Sequence, residues 1–245
     1  PEKAALGQLL FFDKILSGNR NISCATCHHP MAATGDGVSV SVGEGAHGLG
    51  VTRDLGDGLD AVLERVPRNA PALFNVGAKR FTRLFHDGRE TRLEHQIWGP
   101  LLARNEMDNP SIGFVIEKIR RLPEYAGLFE AAFPERGLGL ETIGMAIASY
   151  ERTLVSGGSP FDRWYFGKDP GALGAAAQRG FALFRGKAGC IACHSIEGQT
   201  ALFTDGSLHN TGIGYEESMG QGPAKLRVTL APGVSVNVDR ALVRS

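Results

Sequence analysis

LGQLLFFDKILSGNRNISCATCH, residues 6–28, and RGFALFRGKAGCIACH, residues 179–194, read alike: an apolar helical stretch closing on Leu-Phe-Phe or Leu-Phe, a short loop, then Cys-x-x-Cys-His. The two motifs, Cys24-Ala25-Thr26-Cys27-His28 and Cys190-Ile191-Ala192-Cys193-His194, use all 4 cysteines of the chain. This is the c-type haem attachment pattern, in which both thiols add across porphyrin vinyl groups and the adjacent histidine reaches the iron from the proximal face. A zinc site, a disulfide framework and a thioredoxin-like redox pair are the competing readings. Zinc ribbons space their Cys pairs roughly 15–20 residues apart, whereas these pairs stand at opposite ends of the chain. Two complete motifs that leave no cysteine over favour haem against all three. Two covalently bound haem c groups are therefore expected, one held by Cys24, Cys27 and His28, the other by Cys190, Cys193 and His194. Duplication of a cytochrome c unit explains the repeat, and the helix before each motif is expected to pack across the haem edge.

The rest of the chain fits that plan. Its 245 residues allow one large or two small domains. Helical patterns run over Pro1–Phe12, Ile112–Leu122, Tyr125–Phe133, Leu140–Leu154 and Ala172–Arg185, with Pro110, Pro123, Pro134 and Gly157-Gly158 as punctuation. The expected fold is mainly α, two cytochrome c-like haem domains with long irregular loops and little β. The turn-rich segment Ser156–Gly171 reads as the linker, which puts the domains at 1–155 and 156–245. The Gly-rich stretch between Ala32 and Gly58 reads as a loop over the haem face, and KLRVTLAPGVSVNVDRALVRS at the end as a β-hairpin. Lys plus Arg balance Asp plus Glu at 26 each, which gives no long-range field for a nucleic acid or an anionic membrane. No apolar run approaches the roughly 20 residues of a membrane span. There is no export signal at the start, so any such signal is expected to have been removed or omitted. Covalent haem attachment is normally extracytoplasmic in bacteria, so the expected location is the periplasm.

Several further motifs, in order, resemble the bacterial di-haem cytochrome c peroxidase and methylamine-utilisation (MauG) superfamily. They are LGQLLFFDKILS with ISCATCH, PRNAPALFNV from Pro67, FHDGRETRLEHQIWGPLLARNEM from Phe85, and SPFDRWYFG with RGFALF and CIACH. The resemblance covers nearly the whole chain. It implies that the first haem is the peroxidatic centre and the second a higher-potential electron relay, with His28 and His194 as proximal ligands. It places Gln96 and Glu106 on the catalytic side of the first haem, Glu106 as acid/base and Gln96 as a hydrogen-bonding partner of bound oxygen or water. The chemistry asks for such a group independently, because cleaving a peroxide so that water leaves requires a proton to move between its oxygens. Without the motif, both residues read as polar positions on a solvated helix face. Asp87 and Arg89 are read as structural or propionate partners, and Pro100 as shaping the pocket.

The resemblance also implies a calcium ion near Asn69, whose single side-chain oxygen is far short of the six to eight that calcium takes. His47 is the loop histidine it offers as a removable sixth ligand of the first iron, the alternative being an exposed loop residue. His29 is expected to point away from the iron, and His95 and His209 to make surface or propionate contacts. Where relatives often have Trp before the Asp-Gly-Arg element, this chain has His86. Trp98 is a substitute or, more simply, core packing. The C-terminal domain reads as truncated, because relatives continue with a segment carrying the Met or Tyr sixth ligand of the second haem. Met219 is not favoured in that role.

Three functions compete. The first is reduction of hydrogen peroxide to water, with electrons from a small donor such as a cytochrome c or cupredoxin relayed through the second haem. The second is a MauG-like oxidase that acts on a protein substrate through a doubly oxidised haem pair. The third is a non-catalytic di-haem electron carrier. A homodimer is the oligomer common among relatives.

Overall fold

A computed structural model describes residues 1–53, 65–78 and 82–210 and, as backbone, the strands 225–231 and 234–239. The chain is mainly helical, as its periodicity predicts. Helix α1 (Glu2–Phe12) buries Leu6, Gly7, Leu10 and Phe11, a stripe with helical spacing. It crosses α7 (Leu140–Glu151), which answers with Ile143, Ala146 and Ile147. The crossing is close enough that a Cβ on Gly7 would stand 1.9 Å from the Ala146 carbonyl oxygen, so only glycine fits there. Around this pair pack α5 (Ile112–Arg120) and α6 (Leu128–Ala132), which bury Val115, Ile119 and Phe129 at 0–1% exposure. Each such side chain contributes about 1.5–3 kcal/mol. The expected helix over 125–133 is shorter, because Pro123–Tyr125 forms a 3₁₀ turn before α6 begins.

Short helices carry the residues that face the site. They are α2 (Cys24–Cys27), α3 (Leu93–Gln96) and α4 (Trp98–Leu102). At the start of α2, Ser23 N–H donates to Thr26 Oγ1 at 3.0 Å and the Ser23 carbonyl accepts the Thr26 N–H at 2.9 Å. The turn after α4 is held by a buried amide, Asn109, whose Nδ2 donates to the carbonyls of Leu16 at 2.7 Å and Leu101 at 2.8 Å. The Lys118 ammonium donates to Asn109 Oδ1 at 2.7 Å and to the Ser17 carbonyl at 2.6 Å. This network fixes residues 101–109 against the start of the chain.

The segment Ser156–Gly171, rich in turn-forming residues, is partly helical. It contains α8 (Pro160–Tyr165), started by a capping box in which Ser159 N–H donates to Asp162 Oδ2 at 2.9 Å and Asp162 N–H to Ser159 Oγ at 3.1 Å, with Pro160 in the first turn. The aromatic rings of α8 pack on α9 (Ala175–Arg185), as in the 5.0 Å approach of Phe161 to Phe181. The C-terminal hairpin is present: β1 (Lys225–Ala231) pairs antiparallel with β2 (Val234–Asp239), with an irregularity between Thr229 and Ala231. Met219 lies outside the described residues. Among those residues no helix is long and apolar enough to cross a membrane.

Candidate functional site

A cavity of about 660 Å³ opens beside α2, and the residues lining it come from separate stretches of the chain between Phe11 and Glu151. Cys24, Cys27 and His28 form one side; Gln96, Pro100 and Glu106, from α3, α4 and the turn after it, also face it. Phe11, Leu73, Ile97, Leu101 and Ile147 make much of the wall apolar. This size and lining suit a large planar cofactor.

His28 is oriented by its neighbours. Its Nδ1 lies 3.0 Å from the Thr34 carbonyl, which can only accept, so that nitrogen carries the hydrogen and Nε2 keeps the lone pair. Burial holds the imidazole below its usual pKa, partly offset by the Thr34 carbonyl, so the neutral form is favoured. Thr34 has a left-handed backbone, φ 63°, and its hydroxyl accepts the Leu73 N–H at 2.7 Å, which ties the 66–76 stretch to the ligand loop. Burial pushes the Cys24 thiol up to about 12 and Cys27 to about 11, so neither is a ready thiolate. No disulfide joins any of the 4 cysteines.

The second motif repeats the device. His194 Nδ1 is 2.9 Å from the Phe203 carbonyl, and Phe203 is again left-handed, φ 53°. Phe161, Phe181, Phe184 and Phe203 gather in mutual ring contacts, with Phe184 6.2 Å from the His194 ring. None of residues 156–210 is buried. An imidazole with its outer nitrogen available, two adjacent thiols and a half-exposed aromatic surface fit a porphyrin here as they do in the first cavity. His209 Nδ1 lies 3.8 Å from Cys193 Sγ, and its Nε2 is 2.7 Å from Asp205. Among the described residues these three are the only His, Cys or carboxylate grouping close enough to hold a bare metal ion.

In the same cavity, burial raises the Glu106 carboxyl above its ordinary range while the Arg89 guanidinium pulls it back. Arg89 is itself committed: it donates to both Asp87 oxygens at 2.8 and 2.9 Å and stacks 3.6 Å over the Phe85 ring. Asp87 and Arg89 are thus partners of each other at the cavity rim. The Gly-rich loop supports Glu106 from behind. Glu44 N–H donates to the Glu106 carbonyl at 2.7 Å, and a Cβ on Gly43 would stand 2.5 Å from that same oxygen. The loop is braced internally by buried Arg53, which donates to the carbonyls of Val42, Gly43 and Gly48.

Asn69 lines the cavity, is exposed, and donates its amide to the Val38 carbonyl at 2.6 Å, leaving its oxygen as the atom free to ligate. His47 is exposed and not among the lining residues, so ligation by it would require the loop to rearrange. His29 accepts the Met31 N–H at 3.2 Å instead of facing the cavity. His86 is exposed at the rim, whereas Trp98 packs against the core. One lining residue was not expected from the sequence: Glu151, the last residue of α7, is 5% exposed and its Oε2 has no hydrogen-bond partner. In sequence it looks like an ordinary charge at the end of an amphipathic helix.

The family model described as di-haem cytochrome c peroxidase matches residues 1–170. The methylamine utilization protein MauG of Methylorubrum extorquens is 43% identical over 223 residues, 91% of this chain and 56% of that protein. The cytochrome c551 peroxidase of Pseudomonas aeruginosa is 34% identical over 197 residues, 79% of this chain and 50% of that one. In structure, the diheme peroxidase BthA from Burkholderia thailandensis superposes with a TM-score of 0.67 at 30% identity, covering 84% of this chain and 53% of that one. The chain therefore spans about half the length of the relatives it matches.

Proposed function

The chain belongs to the di-haem cytochrome c peroxidase family, and from that premise we propose that it reduces hydrogen peroxide to water at a haem in the first cavity, with electrons relayed through a second haem. On this reading Cys24, Cys27 and His28 hold the first haem c within 1–155, and Cys190, Cys193 and His194 the second within 156–245. The single observation that carries the proposal is that Glu106 and Gln96 line the same cavity as Cys24, Cys27 and His28.

When bound, the haem supplies the coordination position for the oxidant and takes part in its two-electron reduction. Glu106 carries a proton from the peroxide oxygen that stays to the one that leaves, so that water departs instead of hydroxide. Its burial supports this by keeping its proton affinity above that of a solvated carboxylate. The Gln96 amide positions the oxidant by hydrogen bonding. Overall, one hydrogen peroxide, two electrons and two protons give two waters, the electrons coming one at a time from a small donor such as a cytochrome c or cupredoxin. Export to the periplasm, a calcium ion at Asn69 and a homodimer accompany the same reading. Replacing Glu106 with Gln is expected to slow peroxide consumption by the reduced holoprotein about 10²–10⁴-fold, the usual worth of a general acid/base. An unchanged rate rules the proposal out.

The 43% identity to a MauG protein favours a second reading, oxidation of side chains on a partner protein. The two part on where the oxidising equivalents go after peroxide is added without reductant. Persistence for minutes, followed by modification of a partner, favours the second; rapid discharge to a small reduced donor favours the first.

A further inference from the structure

The first cavity holds a buried carboxyl that the proposed reaction does not use. Glu151 ends α7 among apolar side chains, 5% exposed, and its Oε2 meets no donor. The groups that act on it are few. Cys24 reaches it from α2, and Glu94 from α3. The nearest cation, Arg152, is committed to Glu94 at 2.7 Å. From α1 the cavity receives Phe11, which offers no charge. The remaining ionisable lining groups, His28, Glu106, Arg89, Asp87, Arg83, Arg68 and His86, lie on other stretches of the wall, and Arg89 already offsets Glu106.

We propose that Glu151 is the proton-uptake site of this cavity, a carboxylate that binds one proton from solvent when one electron enters the cofactor attached at Cys24 and Cys27. In that step an electron arrives from a one-electron donor, an O–H bond forms on Glu151, and the bond to that hydrogen in the hydronium ion or buffer acid that gives it breaks. An added negative charge in a low-dielectric interior is costly unless compensated nearby. Glu151 is the group fitted to compensate it, being buried, without a donor of its own and next to the attachment thiol. Burial pushes its pKa up to about 8, so above that pH the carboxylate form prevails and an added negative charge nearby draws a proton onto it. The inference rests on the haem assignment at residues 24–28.

The test is a spectroelectrochemical titration of the first haem in the full holoprotein between pH 6 and 9, in wild type, Glu151→Gln and Glu106→Gln. The wild-type potential is expected to stay level below about pH 8 and to fall above it, the slope to vanish in Glu151→Gln and to persist in Glu106→Gln. A wild-type slope retained in Glu151→Gln overturns the proposal. If that variant fails to mature, the reduced-minus-oxidised infrared spectrum of the wild type decides. A protonated-carboxyl band that appears on reduction and shifts in D₂O supports the proposal, and its absence overturns it. A chain that matures with only one haem, attached at Cys190 and Cys193, overturns the cofactor reading instead, and haem content shows this before any titration.

Discussion

Two carboxyls in one cavity are set apart by their neighbours. Glu106 is raised by burial and pulled back by Arg89, so its ionised, proton-accepting form is lost as pH falls through a pKa above its ordinary 4.5. Removing the cation with Arg89→Ala is expected to move the acid limb of the kcat/KM profile for peroxide to higher pH. A limb that stays in place shows that Arg89 does not act on Glu106. For Glu151, the folded pKa is raised to about 8 from 4.5, so the folded state is the one that keeps the proton. Stability is then undiminished below about pH 4.5, falls as pH rises toward 8, and stays reduced above it. Glu151→Gln should therefore raise the denaturation midpoint at pH 9 and leave it unchanged at pH 4, as read by denaturant titration. At this scale the residues proposed to attach the haems stand out in the sequence, because Cys-x-x-Cys-His is contiguous. The carbonyls of Thr34 and Phe203 that orient the two histidines were not, since nothing in residue identity announces a left-handed turn at a threonine or a phenylalanine.

At the scale of elements, legibility followed local signal strength. Helices α1, α5 and α7 have sustained apolar periodicity, and their limits fall within a few residues of expectation. Helix α8 was hidden inside turn-forming residues, although Ser159-Pro160-Phe161-Asp162 carries a capping box that could have revealed it. The described part of the Gly-rich loop, up to Arg53, is irregular apart from a 3₁₀ turn at Gly50–Thr52, and residues 54–58 of the expected loop lie outside the described residues; its bracing by Arg53 and its contact with Glu106 join residues far apart in sequence. The α1–α7 crossing is the most demanding joint. Gly7→Ala forces a Cβ against the Ala146 carbonyl and is expected to cost about 1–3 kcal/mol, measured as a lowered denaturation midpoint with an unchanged slope. No loss of stability means the helices separate without penalty.

Across the whole molecule the two motifs sit in unlike settings. The first lies in a cavity of about 660 Å³ walled by the main core, with ionisable groups around its rim. The second lies against a half-exposed aromatic cluster. This asymmetry was only partly legible: duplication was visible in the repeated grammar, but the different burial of the copies depends on α3, α4 and α7 closing over the first alone. On the proposed reading, the enclosed centre would meet the oxidant and the exposed one would pass electrons, in a reaction that takes two. The most direct test is the coordination of each iron in the half-reduced holoprotein, followed by electron paramagnetic resonance during cyanide titration. The account predicts two haem c groups per chain, with the one at His28 open to cyanide and the other unaffected. Two irons that stay six-coordinate and inert to cyanide would contradict it.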